Sequence, residues 1–488
     1  MALARLLARL RCLQVLAAAA APSLDIRVAK GVRERGYGAV RISVVHEGEV
    51  TRNEFFNYSG QFFGAWQQFH LHSTVKEVKG SASFTIGGQT VRIRLPREGG
   101  LVRGLLFADP CISSLGGLNC QFEEKFQTRE RLATIVNQFV GSDEIDYWGI
   151  VGDNFYESNR AGGHVTKSFF EALTLEAKSK LLLSVPGNHD FWISGGPPGQ
   201  TSIDQFGYGF MQMYGQDVQA GLSSGHTPYD FSVPPRSGHL PMLENFVFSH
   251  QIGDTAFFGF SGAHHRDQLT PHVESFCRWL TTASTVNTAV ILGHWNTENL
   301  GCTAGMAAPD VYEAARALPG CASKNLLFID GHEHCNYVHA DYPDHGFLFG
   351  GNGMGGACPR QQFGFLVLES DPNAFLGPNV RVDYFELASL TSEEVTSSWD
   401  EMQACVRSTP QRPYTGCRDQ FAVKWRAPPA PPVPPPLRPP GDHFPLAAAV
   451  SCGAAALVAM LAAGWCLKRQ RAQGDLERPL GQEDGEGR

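Results

Sequence analysis

Five short motifs in this chain could do chemistry together. Asp109 stands in Leu105-Leu106-Phe107-Ala108-Asp109-Pro110-Cys111, and Asp153 opens Asp153-Asn154-Phe155-Tyr156 after Gly152. Gly187-Asn188-His189-Asp190, Gly293-His294 and Gly331-His332-Glu333-His334 follow in order. Carboxylates, an amide oxygen, imidazoles and a phenolate are hard or borderline donors, suited to Fe, Mn or Zn. A carboxylate can offer both oxygens, so Asp153 is the natural bridge between two ions. Two such ions about 3.5–4 Å apart would sharpen a bound hydroxide and clamp an in-line displacement at phosphorus. Each motif alone is weak, since an Asp in a turn or a capping Asn would look the same. Together, each closing an apolar run, they point to one site.

The elements that must position them are short buried strands. Leu101–Asp109, Tyr147–Asp153, Leu181–Pro186, Ala289–His294 and Leu326–Asp330 are apolar runs of strand length. Each delivers its polar residues at its C-terminal end, where sites on α/β sheets are built. The spacing predicts a helix within Glu123–Val140, from Phe126, Leu132, Ile135, Val136 and Phe139. Phe246–Phe260, Phe365–Leu368 and Val380–Leu387 read as further strands, which predicts mixed sheets.

The motif series resembles that of the calcineurin-like metallophosphoesterases over about residues 101–370. Tyr156, three residues after Asp153, makes it most similar to the purple acid phosphatases. The resemblance implies an α/β (α+β) fold, a double β-sandwich flanked by helices with the metals at one edge. It implies that Asp109, Asp153, Tyr156 and His334 hold Fe(III), and that Asp153, Asn188, His294 and His332 hold a divalent Fe, Zn or Mn. It places His189 near the leaving oxygen, as general acid or as a donor to developing charge. Asp190 would orient groups near the metals. Gly350–Gly356 resembles the glycine-rich turn late in that family; a plain tight turn is the other reading.

Two positions depart from the family pattern. Cys111 stands where purple acid phosphatases usually have Gly and other members a ligating His; a disulfide, with Cys120 as a candidate partner, a buried thiol and a metal ligand all stay open. Thr303 stands where some small purple acid phosphatases place another His, which bears on substrate preference and leaving-group protonation.

The rest of the chain suggests a tethered ectoenzyme. Arg5, Arg9 and Arg11 precede an apolar, alanine-rich run, so residues 1–22 read as a secretory signal, with an organelle transit peptide as the alternative. Residues 23–100 are β-rich, either a small domain or a lead-in to the catalytic domain at 101–390. A C-terminal extension (391–426) leads to a proline-rich stalk (427–443) containing APPAPPVPPPLRPP. Phe444–Leu467 is uncharged and long enough to span a bilayer, and Lys468, Arg469 and Arg471 put the tail at 468–488 in the cytosol. The expectation is a type I membrane protein with an extracellular or lumenal catalytic domain.

Of 12 cysteines, setting aside Cys12, Cys452 and Cys466 leaves nine; Cys302/Cys321 and Cys405/Cys417 are near enough in sequence to bridge. Asn57-Tyr58-Ser59 is a glycosylation acceptor pattern. A net charge of −8 offers no basic field, which argues against nucleic acid as a main partner.

The leading expectation is hydrolysis of phosphate monoesters. Alternatives are a phosphodiesterase acting on nucleotides or lipid head groups, and a receptor or adhesion protein that keeps the fold without turnover.

Overall fold

The computed structural model describes residues between Leu24 and Val423, apart from 31–34, 48–54, 57, 64–67, 111, 113–126, 156–163, 189, 191–213, 215–221, 223–245, 297–304, 335, 350–363, 375–378 and 387–391. The expectations on residues 1–22, Asn57, Cys111, Cys120, Tyr156, His189, Cys302, Thr303, Gly350–Gly356 and everything from 424 onward lie outside the described residues. Among the described residues, no helix is long and apolar enough to cross a membrane.

The N-terminal strands are β1 (Ile26–Ala29), β2 (Ala39–Glu47), β3 (Tyr58–Phe63), β4 (Gln68–Glu77), β5 (Ser81–Ile86) and β6 (Gln89–Arg94). Then come β7 (Val102–Phe107), β8 (Tyr147–Val151), β9 (Leu181–Val185), β10 (Phe248–Ile252), β11 (Thr255–Gly259), β12 (Thr288–Leu292) and β13 (Asn325–Asp330). The last are β14 (Asn336–Val338), β15 (Gly346–Phe349), β16 (Gly364–Ser370), β17 (Val380–Glu386) and β18 (Ala422–Val423). They form a 10-stranded sheet in the order β18-β17-β16-β7-β8-β9-β1-β2-β4-β3, and a 6-stranded sheet in the order β10-β11-β12-β13-β15-β14. Among the described residues, β5 and β6 form a separate two-stranded sheet.

Both sheets are mixed. β7, β8, β9 and β1 run parallel, flanked by antiparallel β16 and β2. β11, β12, β13 and β15 run parallel, closed by antiparallel β10 and β14. β1 pairs with β9 through Val28 and Leu181, so the N-terminal strands continue the first sheet. Phe246–Phe260, read as strand-like, is the β10–β11 hairpin turning at Gly253 and Asp254.

Side-chain alternation shows how the sheets stack. Phe257, Val290, Leu292, Leu327 and Ile329 join the core of the first sheet, while their neighbours Ala256, Phe258, Ala289, Ile291 and Phe328 pack on helices behind. Successive strand residues point to opposite faces, so β11, β12 and β13 are buried on both sides. Tyr147 meets Phe257 edge-on at 5.0 Å, and Trp148 turns the other way onto Phe170 at 5.7 Å.

The helices cover the outer faces. Among the described residues they are α1 (Thr128–Ile135), α2 (His164–Glu171), α3 (Leu175–Lys178), α4 (Arg266–Leu280), α5 (Ala308–Arg316), α6 (Pro319–Ala322), α7 (Ser392–Ser408) and α8 (Pro413–Phe421). α1 begins later than the periodicity suggested, because Gln127 is left-handed at φ 48°, and it continues as a π-helical turn over Val136–Val140. α4 buries Leu269, Val273, Phe276, Cys277 and Leu280, a stripe at helical spacing.

Cysteine pairing corrects one expectation. Cys321 bonds Cys277, which ties α6 to α4, and so is not the partner of Cys302. Sequence proximity misled because α4 and α6 pack side by side across a separation of 44 residues. Cys405–Cys417 is present as expected and joins α7 to α8.

Candidate metal centre

Parallel β7, β8 and β9 of the first sheet and β12 and β13 of the second end at one rim. Their C-terminal residues carry the motifs. Asp109, Asp153 and His294 are buried, and Asn188 is 6 % exposed. His332 and His334 are half-buried.

The backbone there is unusual. Five non-glycine residues among those described have positive φ, and four are Asp109 (44°), Asp153 (47°), His332 (79°) and His334 (56°). Such left-handed conformations cost L-residues energy and are retained where the surroundings enforce them, commonly at functional sites. Two glycines make the close approach possible. A Cβ at Gly152, itself at φ 83°, would overlap the His294 ring, and one at Gly187 would strike Asp153 Oδ1.

The ligand atoms fall into two groups that share one residue. Asp153, His294 and His332 offer donors within 4.8 Å of one another, and so do Asp109, Asp153 and His334. His294 Nε2 lies 3.4 Å from Asp153 Oδ1 and 3.3 Å from His332 Nδ1. His334 Nε2 lies 3.1 Å from Asp109 Oδ1. The His332 backbone N–H donates to Asp109 Oδ2 at 3.0 Å, which locks the second sheet's loop onto the first sheet's carboxylate.

These residues fit metal ions on three observations. His294 Nδ1 lies 3.0 Å from the Val151 carbonyl; with its proton donated there, Nε2 keeps its lone pair toward the carboxylates. Asn188 Oδ1 is buried with no hydrogen-bond partner, a cost of about 1–3 kcal/mol that a cation would relieve. Burial pushes the His294 imidazole toward neutrality, yet Asp153 and Asp109 outweigh it and raise its pKa to about 10. The site draws positive charge strongly, and a metal would take the proton's place.

Residues behind the ligands hold the loops. Asp190 accepts from Asn154 N at 2.9 Å, Asn154 Nδ2 at 2.7 Å and Gly187 N at 2.6 Å. Asn154 also donates to Val185 O and accepts from Ser184 Oγ. The loops after β8 and β9 are thereby bolted together, in keeping with the orienting role expected for Asp190. Burial, then the Asp153 charge, raise the Asp190 pKa. On the other side Asp330 pairs with His339 at 3.0 Å, below the turn that carries His332. Burial raises the Asp330 pKa to about 6.

Of the expected ligands, the structure brings Asp109, Asp153, His294, His332 and His334 together, with Asn188 at the same rim. Tyr156 and His189 lie outside the described residues. Sequence reasoning passed over Trp295, Asn296, Asp330, Tyr337 and His339. Trp295 and Asp330 adjoin motif residues and Asn296 is one position further on, which was the available signal; Tyr337 and His339 had none.

Two facing mixed sheets, strand-end motifs in this order and ligand groups sharing Asp153 are the arrangement that the resemblance to the calcineurin-like metallophosphoesterases implies. No protein-family model matches the chain, and no curated protein matches it in sequence. Among solved structures it is similar to a purple acid phosphatase from yellow lupin (Lupinus luteus) seeds, at TM-score 0.45 and 13 % identity over 76 % of this chain and 75 % of that one. It is also similar to PhoD, at TM-score 0.36 and 11 % identity over 80 % of this chain and 99 % of that one. At such values the functional reading rests on the chain's own residues.

Proposed function

We propose that the protein is a binuclear-metal phosphoesterase that hydrolyses phosphate monoesters. The observation that carries this is Asp153, shared by two ligand groups with the unpartnered Asn188 oxygen at the same rim. Asp109, Asp153, Tyr156 and His334 would hold Fe(III), and Asp153, Asn188, His294 and His332 a divalent Fe, Zn or Mn. When bound, such a pair ionises water near neutral pH and takes up charge on phosphoryl oxygens.

The chain's own residues then set the stage. Buried Asp109 and Asp153 supply the negative field that gathers cations. The Val151 carbonyl fixes the His294 ring, and Asp190 with Asn154 keeps Asn188 and Asp153 on their strand ends. His189, between Asn188 and Asp190, would donate a proton to the leaving oxygen or bind its charge.

The setting belongs to the same proposal. A signal at residues 1–22, a stiff stalk and a span at Phe444–Leu467 would hold the catalytic domain on the extracellular or lumenal side. Two disulfides support an oxidising compartment.

The test is a paired assay on the metal-loaded full chain with p-nitrophenyl phosphate and bis-p-nitrophenyl phosphate. Monoester kcat/KM above diester by about 10-fold or more supports the reading, since that is about 1.4 kcal/mol of discrimination in the transition state. The reverse order would make the protein a phosphodiesterase. Metal-loaded protein that turns over neither would point to the receptor or adhesion alternative.

A further inference from the structure

One chain of side chains at the rim is not used by the chemistry above. Glu333 sits between His332 and His334 yet belongs to neither ligand group. Its Oε2 accepts from the Tyr337 hydroxyl at 2.9 Å. Tyr337 lies on β14, held in register opposite Leu348 of β15. The Asn296 side chain approaches the same hydroxyl. Asn296 is 5 % exposed, two residues beyond His294.

Asn296 beside Tyr337, and the Tyr337–Glu333 hydrogen bond, bring the loop after β12 against the loop after β13. Those loops carry His294 on one side and His332 and His334 on the other. The second loop needs such a tie, because both its histidines sit at left-handed φ and relaxation of either would swing an imidazole away. Glu333 faces Tyr337, while His334 Nε2 faces Asp109 and His332 Nδ1 faces His294.

We infer that Tyr337, with Asn296 and Glu333, is a positioning unit that sets the spacing of His294, His332 and His334 and thereby the affinity of the centre for metal. The inference rests on the binuclear reading above. None of the three side chains would touch substrate. Their effect runs through the imidazoles, so it is felt in metal affinity before turnover at saturating metal.

The experiment uses full-length protein stripped by a chelator and titrated with Zn²⁺ against a chromophoric competitor, with activity read at limiting and saturating Zn²⁺. Tyr337→Phe and Glu333→Ala should each weaken Zn²⁺ binding roughly 10- to 100-fold, the usual cost of losing a partner behind a metal ligand. Glu333→Gln keeps an acceptor for the Tyr337 hydroxyl and should stay within about 3-fold of wild type. Turnover of Tyr337→Phe should recover at saturating Zn²⁺. Tyr342→Phe, whose ring packs on Phe328 and Tyr312 behind the second sheet, is the control and should bind as wild type. Wild-type affinity in both Tyr337→Phe and Glu333→Ala would overturn the inference. Should Tyr337→Phe not fold, the contrast between Glu333→Ala and Glu333→Gln decides. Wild-type protein that takes up no metal would overturn the binuclear reading, and this inference with it.

Discussion

Asn188 concentrates the conflict between stability and function in one atom. Its buried Oδ1 has no partner, so the metal-free protein carries an unsatisfied acceptor. Asn188→Leu should raise the thermal midpoint of metal-free protein, by about 1 kcal/mol or more in stability, while abolishing occupancy of the divalent site. A lowered midpoint in the metal-free variant would show that the oxygen is satisfied in solution. His189 makes the complementary case. His189→Ala should lower turnover about 10²-fold with metal content intact, and unchanged turnover would remove it from the reaction. At this scale the gathering of Asp109, Asp153, His294, His332 and His334 was legible, because their motifs follow apolar runs and strand-end polarity survives in one dimension. The Asn296–Tyr337–Glu333 tie was not, because it joins loops distant in sequence through hydroxyl and amide groups with no spacing rule.

Among the elements, the parallel strands were legible to within a few residues: Tyr147–Asp153 became β8 over Tyr147–Val151. Their pairing across long separations was not. β1 joins β9 with Val28 opposite Leu181 and Ala29 opposite Leu182, a partner that no local pattern in the sequence announces. The end of β1 also carries Lys30, whose ammonium is buried and donates to the Gly36 and Tyr37 carbonyls. Burial lowers its pKa from 10.5 to about 7, only partly offset by Glu98. Between those values the unfolded chain binds the proton and the native chain does not, so this group's penalty is full below pH 7 and fades as pH rises toward 10.5. Lys30→Met should therefore be more stable than wild type at pH 7, by a few kcal/mol at most, with the gap narrowing toward pH 10. Denaturant midpoints across that range test it, and a constant gap would mean that Lys30 stays protonated in the fold.

In the molecule as a whole, the centre exists only where two sheets meet. Asp109, Asp153 and Asn188 come from the first sheet, and His294, His332 and His334 from the second. The hydrogen bond from His332 N to Asp109 and the approach of His294 to Asp153 cross that seam. Neither sheet alone carries a complete ligand group, so metal occupancy reports on the assembled sandwich. That dependence could not be read from the motifs, which give order along the chain but not which rim of which sheet faces which.

The most direct test of the shared carboxylate is metal stoichiometry in Asp153→Asn. The account predicts two metal ions per wild-type chain, and weakened binding of both in the variant, because both ligand groups include Asp153. Elemental analysis after dialysis at graded free-metal concentrations measures this directly. Loss of one ion with the other held at wild-type affinity, or a single ion per wild-type chain, would contradict it.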